Sequence, residues 1–138
     1  MTEHDPFLGI WQLIPEKSVY EKGNPPNDGT YTIEVHGDGY LVTMQWKTYD
    51  GTWNEMSYTS IPDGQDYPYG DPNVADTISM TRIDYHTLDS DAKKGGHVTA
   101  HGRRILSDDL RKMTVIQSGP LSEGGTFKNL SVYRRTQM

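Results

Sequence analysis

The chain has 138 residues, with 13 Lys and Arg against 19 Asp and Glu for a net charge of −6, and no cysteine. That length supports one domain with a single core, the acidic balance argues against nucleic acid or an anionic membrane as a general partner, and without cysteine neither a disulfide nor a thiolate metal site is available. Only 33% of residues are hydrophobic and the mean hydropathy is −0.75, which suits a sheet with one apolar face and one wet face.

In chain order, residues 1–6 read as a polar tail. Met1-Thr2-Glu3-His4-Asp5 has neither the basic start nor the apolar run of a signal peptide, so a cytoplasmic location is expected. Nothing approaches 18 consecutive apolar residues, so no membrane span is expected either. Residues 8–13, with Gly9-Ile10-Trp11, read as a short strand. Pro15 suits the first position of one helical turn over 15–20, and Gly23-Asn24-Pro25-Pro26 forbids anything longer.

From residue 28 the period becomes two. Turn signals recur at Asp28-Gly29, Gly37-Asp38-Gly39, Asp50-Gly51, Gly95-Gly96 and Gly124-Gly125, with runs of Thr, Val, Ile, Tyr and Trp between them. This spacing predicts strands at 30–36, 39–48, 52–60, 76–83, 86–93, 97–106, 110–118 and 126–135. The segment 62–75, with Pro62, Pro68 and Pro72 around Tyr67 and Tyr69, reads as a long loop with room for a short strand.

Alternation assigns faces. The apolar phase holds Tyr40, Val42, Met44 and Trp46; Met56 and Tyr58; Ile78, Met80 and Arg82; Val98, Ala100, Gly102, Arg104 and Leu106; Met113, Val115 and Gln117; and Leu130, Val132 and Arg134. Thr43, Gln45 and Lys47, Thr77, Ser79 and Thr81, and Thr99, His101 and Arg103 fall on the opposite face. One dry face over eight or nine antiparallel strands is best buried by rolling the ribbon shut. The predicted fold is therefore all-β: an antiparallel up-and-down β-barrel of 8–10 strands over residues 1–138. A barrel of that size encloses side chains or one small ligand.

Gly9-Ile10-Trp11 on the first strand, the meander, and Arg134 on the last strand resemble the lipocalin and calycin superfamily. Phe7-Leu8-Gly9-Ile10-Trp11, Asp63-Gly64-Gln65-Asp66-Tyr67-Pro68, Ala75-Asp76-Thr77-Ile78-Ser79 with Arg82-Ile83-Asp84, and Arg104 with Ser107-Asp108 are similar to a group of small bacterial lipocalin-like proteins without an assigned function. The resemblance implies that Trp11 closes one barrel end, with Arg134 packed across it in a cation–π contact. The chain departs from the superfamily in having no disulfide, no second lipocalin motif, no helix after the last strand, and no helix pair of the fatty-acid-binding type.

The candidate ligand-binding residues are Tyr40, Met44, Trp46, Met56, Tyr58, Met80, Arg82, Arg104, Met113 and Gln117. The four methionines lie on four strands in the apolar phase and suit either core filling or a wall that adapts to its contents. A guanidinium inside a barrel must be paired, solvated, or held against a ligand carboxylate or phosphate. His97 and His101 have a zinc-like spacing only on a helix; on a strand they stand about 13 Å apart. With no H-E-x-x-H motif and no G-x-S-x-G elbow, no metal, cofactor or nucleophile is called for. Asn129-Leu130-Ser131 matches a glycosylation sequon inside a predicted strand. Three functions stay open: non-covalent binding of a small, largely apolar ligand with a polar or anionic head; a cofactor-free isomerase, cyclase or lyase acting on a hydrophobic substrate; and a barrel filled by its own side chains. A homodimer is compatible with all three.

Overall fold

The computed structural model describes residues 5–23 and 26–137, except for the side chain of Gln137. Met1, Thr2, Glu3, His4, Asn24 and Pro25, named above, lie outside the described residues. The chain forms β1 (Gly9–Leu13), a 3-10 turn (Pro15–Lys17), β2 (Val19–Tyr20), β3 (Asp28–His36), β4 (Gly39–Lys47), β5 (Trp53–Ser60) and β6 (Asp63–Pro68). It continues with β7 (Thr77–Asp84), β8 (Thr87–Lys94), β9 (His97–Leu106), β10 (Lys112–Pro120) and β11 (Thr126–Gln137). The strand order β5-β4-β3-β1-β11-β10-β9-β8-β7-β6 is a continuous antiparallel meander, with β1 joining its two halves. β1 and β2 together form one broken stave along β11, which pairs with β1 at Leu13↔Tyr133 and with β2 at Leu130↔Val19.

All nine predicted strands are present, and each hairpin has a local cause. At Gly95 and Gly96, φ is +58° and +81°, the left-handed pair that a tight turn matched to strand twist requires. The segment 62–75 holds one short strand, β6, followed by loop, as its sequence allowed. β6 pairs only with β7, is irregular between Asp63 and Asp66, and is mostly exposed, so it carries no buried alternation to read.

The ribbon closes into a nearly complete barrel with no hydrogen-bonded ladder between β5 and β6. The two edges meet at the 61–62 turn and again where Gly70 lies against β5. A Cβ on Gly70 would stand 2.0 Å from the Ser57 carbonyl oxygen, so only glycine allows this approach.

One end of the barrel is solid. Phe7, Trp11, Tyr40, Met80, Leu88 and Met113 are fully buried there. Trp11 donates its indole N–H to the Phe7 carbonyl at 3.1 Å. Asp5 and Pro6, assigned to a tail from sequence, also pack here. Asp5 pairs with Arg82 and accepts from the Tyr40 hydroxyl at 2.8 Å, and Pro6 accepts from Arg135.

The cation over Trp11 is Arg135, with its guanidinium 4.0 Å from the ring centroid; the expectation of Arg134 is corrected. Arg135 also donates to the carbonyls of Leu8 (2.6 Å), Pro6 (2.6 Å) and Leu110 (2.8 Å). The phase of β11 is reversed throughout. Phe127, Asn129 and Ser131 are buried on the inner side with Tyr133, whereas Arg134 is exposed. The inner positions of this strand are largely polar, so following Leu130 and Val132 selected the outer face. Val98, also placed inward, is 45% exposed at the start of β9.

Arg135→Met is expected to cost about 2–3 kcal/mol, because it strips three carbonyls of a charged donor. Arg134→Met, on the exposed phase, should stay within about 0.5 kcal/mol. Urea midpoints of the two variants check this; equal losses would return the plug to Arg134.

Candidate ligand-binding site

Above the solid end the barrel is hollow. A cavity of about 1100 Å³ opens where the β4–β5 turn brings Thr48, Tyr49 and Asp50, and the loop after β6 brings Gly70, Asp71 and Val74. Of the ten candidate residues, Met44, Trp46, Met56, Tyr58, Arg104 and Gln117 border it. Tyr40, Met80, Arg82 and Met113 do not. Tyr40, Met80 and Met113 lie in the packed core, and Arg82 is committed to Asp5, the Tyr40 hydroxyl and the carbonyls of Asp84 and Tyr85. Alternation reports which face a side chain occupies but not its height along the barrel axis, and these four sit at the filled end.

Other wall residues lie outside the ten candidates. Tyr31 comes from β3, Ser90 from β8, Tyr69 from the loop after β6, and Asn129, Ser131 and Tyr133 from the misphased β11. The walls differ in chemistry. Met44, Trp46 and Met56 make an apolar side on β4 and β5. Asn129 is fully engaged in tying the β2 end to β11: its side-chain oxygen accepts from the Glu21 and Lys22 amides, and its amide donates to the Lys22 carbonyl. That burial agrees with a structural role at the sequon position.

Arg104 is the centre of the site. It is 5% exposed, and its guanidinium donates to the hydroxyls of Tyr31 (2.7 Å), Tyr58 (3.0 Å) and Ser90 (3.1 Å). None of these partners is a carboxylate. Asp89 and Asp91 on the neighbouring strand take Arg103 (2.7 and 2.8 Å) and His101 (2.7 Å) instead. Burial works against the Arg104 charge, but the oxygens of Tyr31 and Tyr58 outweigh it and hold its pKa above the ordinary value. Among the described residues, the inner end of the cavity therefore carries one uncompensated positive charge.

Two ring pairs flank that charge. Tyr31 meets Tyr133 edge-on with centroids 5.6 Å apart, and Tyr58 lies against Tyr69 at 5.5 Å. Burial, with Tyr31 adding to it, pushes Tyr58 well above the usual phenol value and Tyr69 up to about 12; burial also raises Tyr133. Tyr40 is raised by burial and by its bond to Asp5. All four are neutral at physiological pH.

Above pH 10, the ordinary phenol value, the unfolded chain loses these protons before the folded chain does. Stability is therefore full below about pH 10 and falls above it, by about 1.4 kcal/mol per pH unit for each raised tyrosine. Urea unfolding at increasing alkaline pH, followed with phenolate absorbance, checks this. A flat profile from pH 10 upward would contradict the burial of these hydroxyls.

No family model matches the chain, and no curated protein matches it in sequence. Among solved structures it is similar to the ileal bile acid-binding protein of zebrafish, determined in complex with cholic acid. The two share 11% identity and a TM-score of 0.59 over 95% of this chain and 99% of the other. The shared fold is an antiparallel up-and-down β-barrel. Such low identity carries the architecture alone. No helix among the described residues of this barrel is long and apolar enough to cross a membrane.

Proposed function

We propose that this barrel binds, without covalent chemistry, a small and largely apolar molecule bearing an anionic head. The observation that carries the reading is Arg104: a buried guanidinium with only neutral partners, at the inner end of a cavity of about 1100 Å³. A ligand anion would supply the missing counter-charge with charge-assisted hydrogen bonds. Met44, Trp46 and Met56 would take the apolar body, each buried Å² contributing about 25 cal/mol before the costs of association. The zebrafish protein with the same fold was crystallised with an organic acid, cholic acid, which supports this use of the architecture. The same reading includes a lipocalin-like, bacterial lineage, resting on the short sequence motifs, together with a cytoplasmic location and a homodimer as its working context.

The test is native mass spectrometry of freshly purified protein, paired with titration of a fluorescent fatty-acid probe. A co-purifying acidic species, or saturable probe binding displaced by decanoate and not by decylamine, is expected. No bound species and no saturable binding would mean that the hollow is not a ligand site.

A further inference from the structure

Arg104 presents five N–H donors, of which three are used by Tyr31, Tyr58 and Ser90. Two therefore stay available to a ligand. Tyr31 and Tyr58 both accept from Arg104, and Tyr58 also hydrogen-bonds Tyr31, so one proton of that pair stays free to donate elsewhere. Tyr69 and Tyr133, the second members of the two ring pairs, border the same cavity, and their hydroxyls have no partner among the described residues. The inner end of the cavity thus gathers a single positive charge and a surplus of donors.

Head groups answer this arrangement unequally. A carboxylate carries one charge but only two oxygens, with about four lone-pair sites, and leaves donors unmatched. A phosphate monoester has enough oxygens but approaches two negative charges at neutral pH, twice what Arg104 neutralises, and burying the excess is costly. A sulfate monoester or sulfonate carries one charge over three terminal oxygens and meets both conditions.

We infer that the site selects a monoanionic head with three terminal oxygens, a sulfate ester or sulfonate, over a carboxylate, and that the Tyr69 and Tyr133 hydroxyls make the distinction. This rests on the anion-binding reading of Arg104 proposed above.

The experiment is calorimetric titration with decyl sulfate, decyl sulfonate, decanoate and decanol below their micelle concentrations at neutral pH. Wild type is compared with the double variant Tyr69→Phe/Tyr133→Phe, which keeps both ring pairs and removes only the hydroxyls. Both sulfur oxyanions are expected to bind wild type at least about tenfold more tightly than decanoate. In the double variant that preference should shrink to about threefold or less, mainly through weaker sulfate binding. Decanoate binding as tightly as decyl sulfate, or a preference that survives loss of both hydroxyls, would overturn the inference and leave the anion site standing. Decanol binding as tightly as decanoate, or no binding by any of the three anions, would remove the Arg104 reading itself and this inference with it.

Discussion

Arg104→Met is expected to weaken binding of an alkyl anion such as decanoate by about 30- to 100-fold while leaving the ligand-free protein no less stable than wild type. The affinity loss corresponds to about 2–3 kcal/mol, the scale expected when one side of a desolvated, charge-assisted contact is removed. The stability arm has the opposite cause. In the empty barrel Arg104 is a buried charge facing only hydroxyls, and replacing buried charge by an apolar chain of similar volume is commonly neutral or stabilising. Tyr31, Tyr58 and Ser90 lose a donor, but they border the open cavity and can turn to water. Calorimetric titration and urea unfolding of the same preparations check both arms. Unchanged decanoate affinity would remove Arg104 from the site. A stability loss above about 2 kcal/mol would make the residue a structural support instead.

Trp11→Ala is expected to be the most damaging single change in the chain, costing about 3–5 kcal/mol. Small domains hold only about 5–15 kcal/mol in total, so the melting temperature should fall by roughly 10–20 °C. The indole is fully buried among Phe7, Tyr40, Met80 and Met113, bonds to the Phe7 carbonyl and lies under Arg135. Its removal opens a void at the end of the barrel where neighbouring chains are already tied to one another, which limits collapse into the space. A loss under about 1.5 kcal/mol would show that the filled end does not depend on this ring.

The two variants act at opposite heights of one barrel, and that vertical division is what the sequence least reveals. Tyr40 and Trp46 share a strand and a phase, yet one is sealed in the core and the other borders the cavity. In an up-and-down meander the order along each strand does encode height: the solid end collects the start of β4, the end of β7 and the start of β10. Placing Trp11 at one end and reading each strand toward or away from it would have separated Tyr40, Arg82 and Met113 from Met44, Ile78 and Gln117.

The polar strand β11 was misread for a different reason. A wall that faces a cavity or ties down a neighbouring segment holds Asn129, Ser131, Tyr133 and Arg135 inward, so hydrophobicity points the wrong way there. Tyr133 and the plug cation were lost by one residue, since a one-position shift in a strand exchanges its two faces. Tyr69 is a third case: the sequence allows it at the barrel mouth, but it comes from a loop, where no period applies, and only the closure of the barrel brings it against Tyr58.

The sequence by itself determined the class of fold, the nine main strands and the inward aim of Arg104, because glycine turns and period-two alternation are local and act wherever the chain lies. Only the tertiary structure decided which cation covers Trp11, which half of the barrel is hollow, and that Arg104 meets hydroxyls instead of a carboxylate. Those outcomes depend on register and height between strands far apart in the chain, and side-chain contacts at that range are set by how the ribbon closes, not by the residues flanking each position.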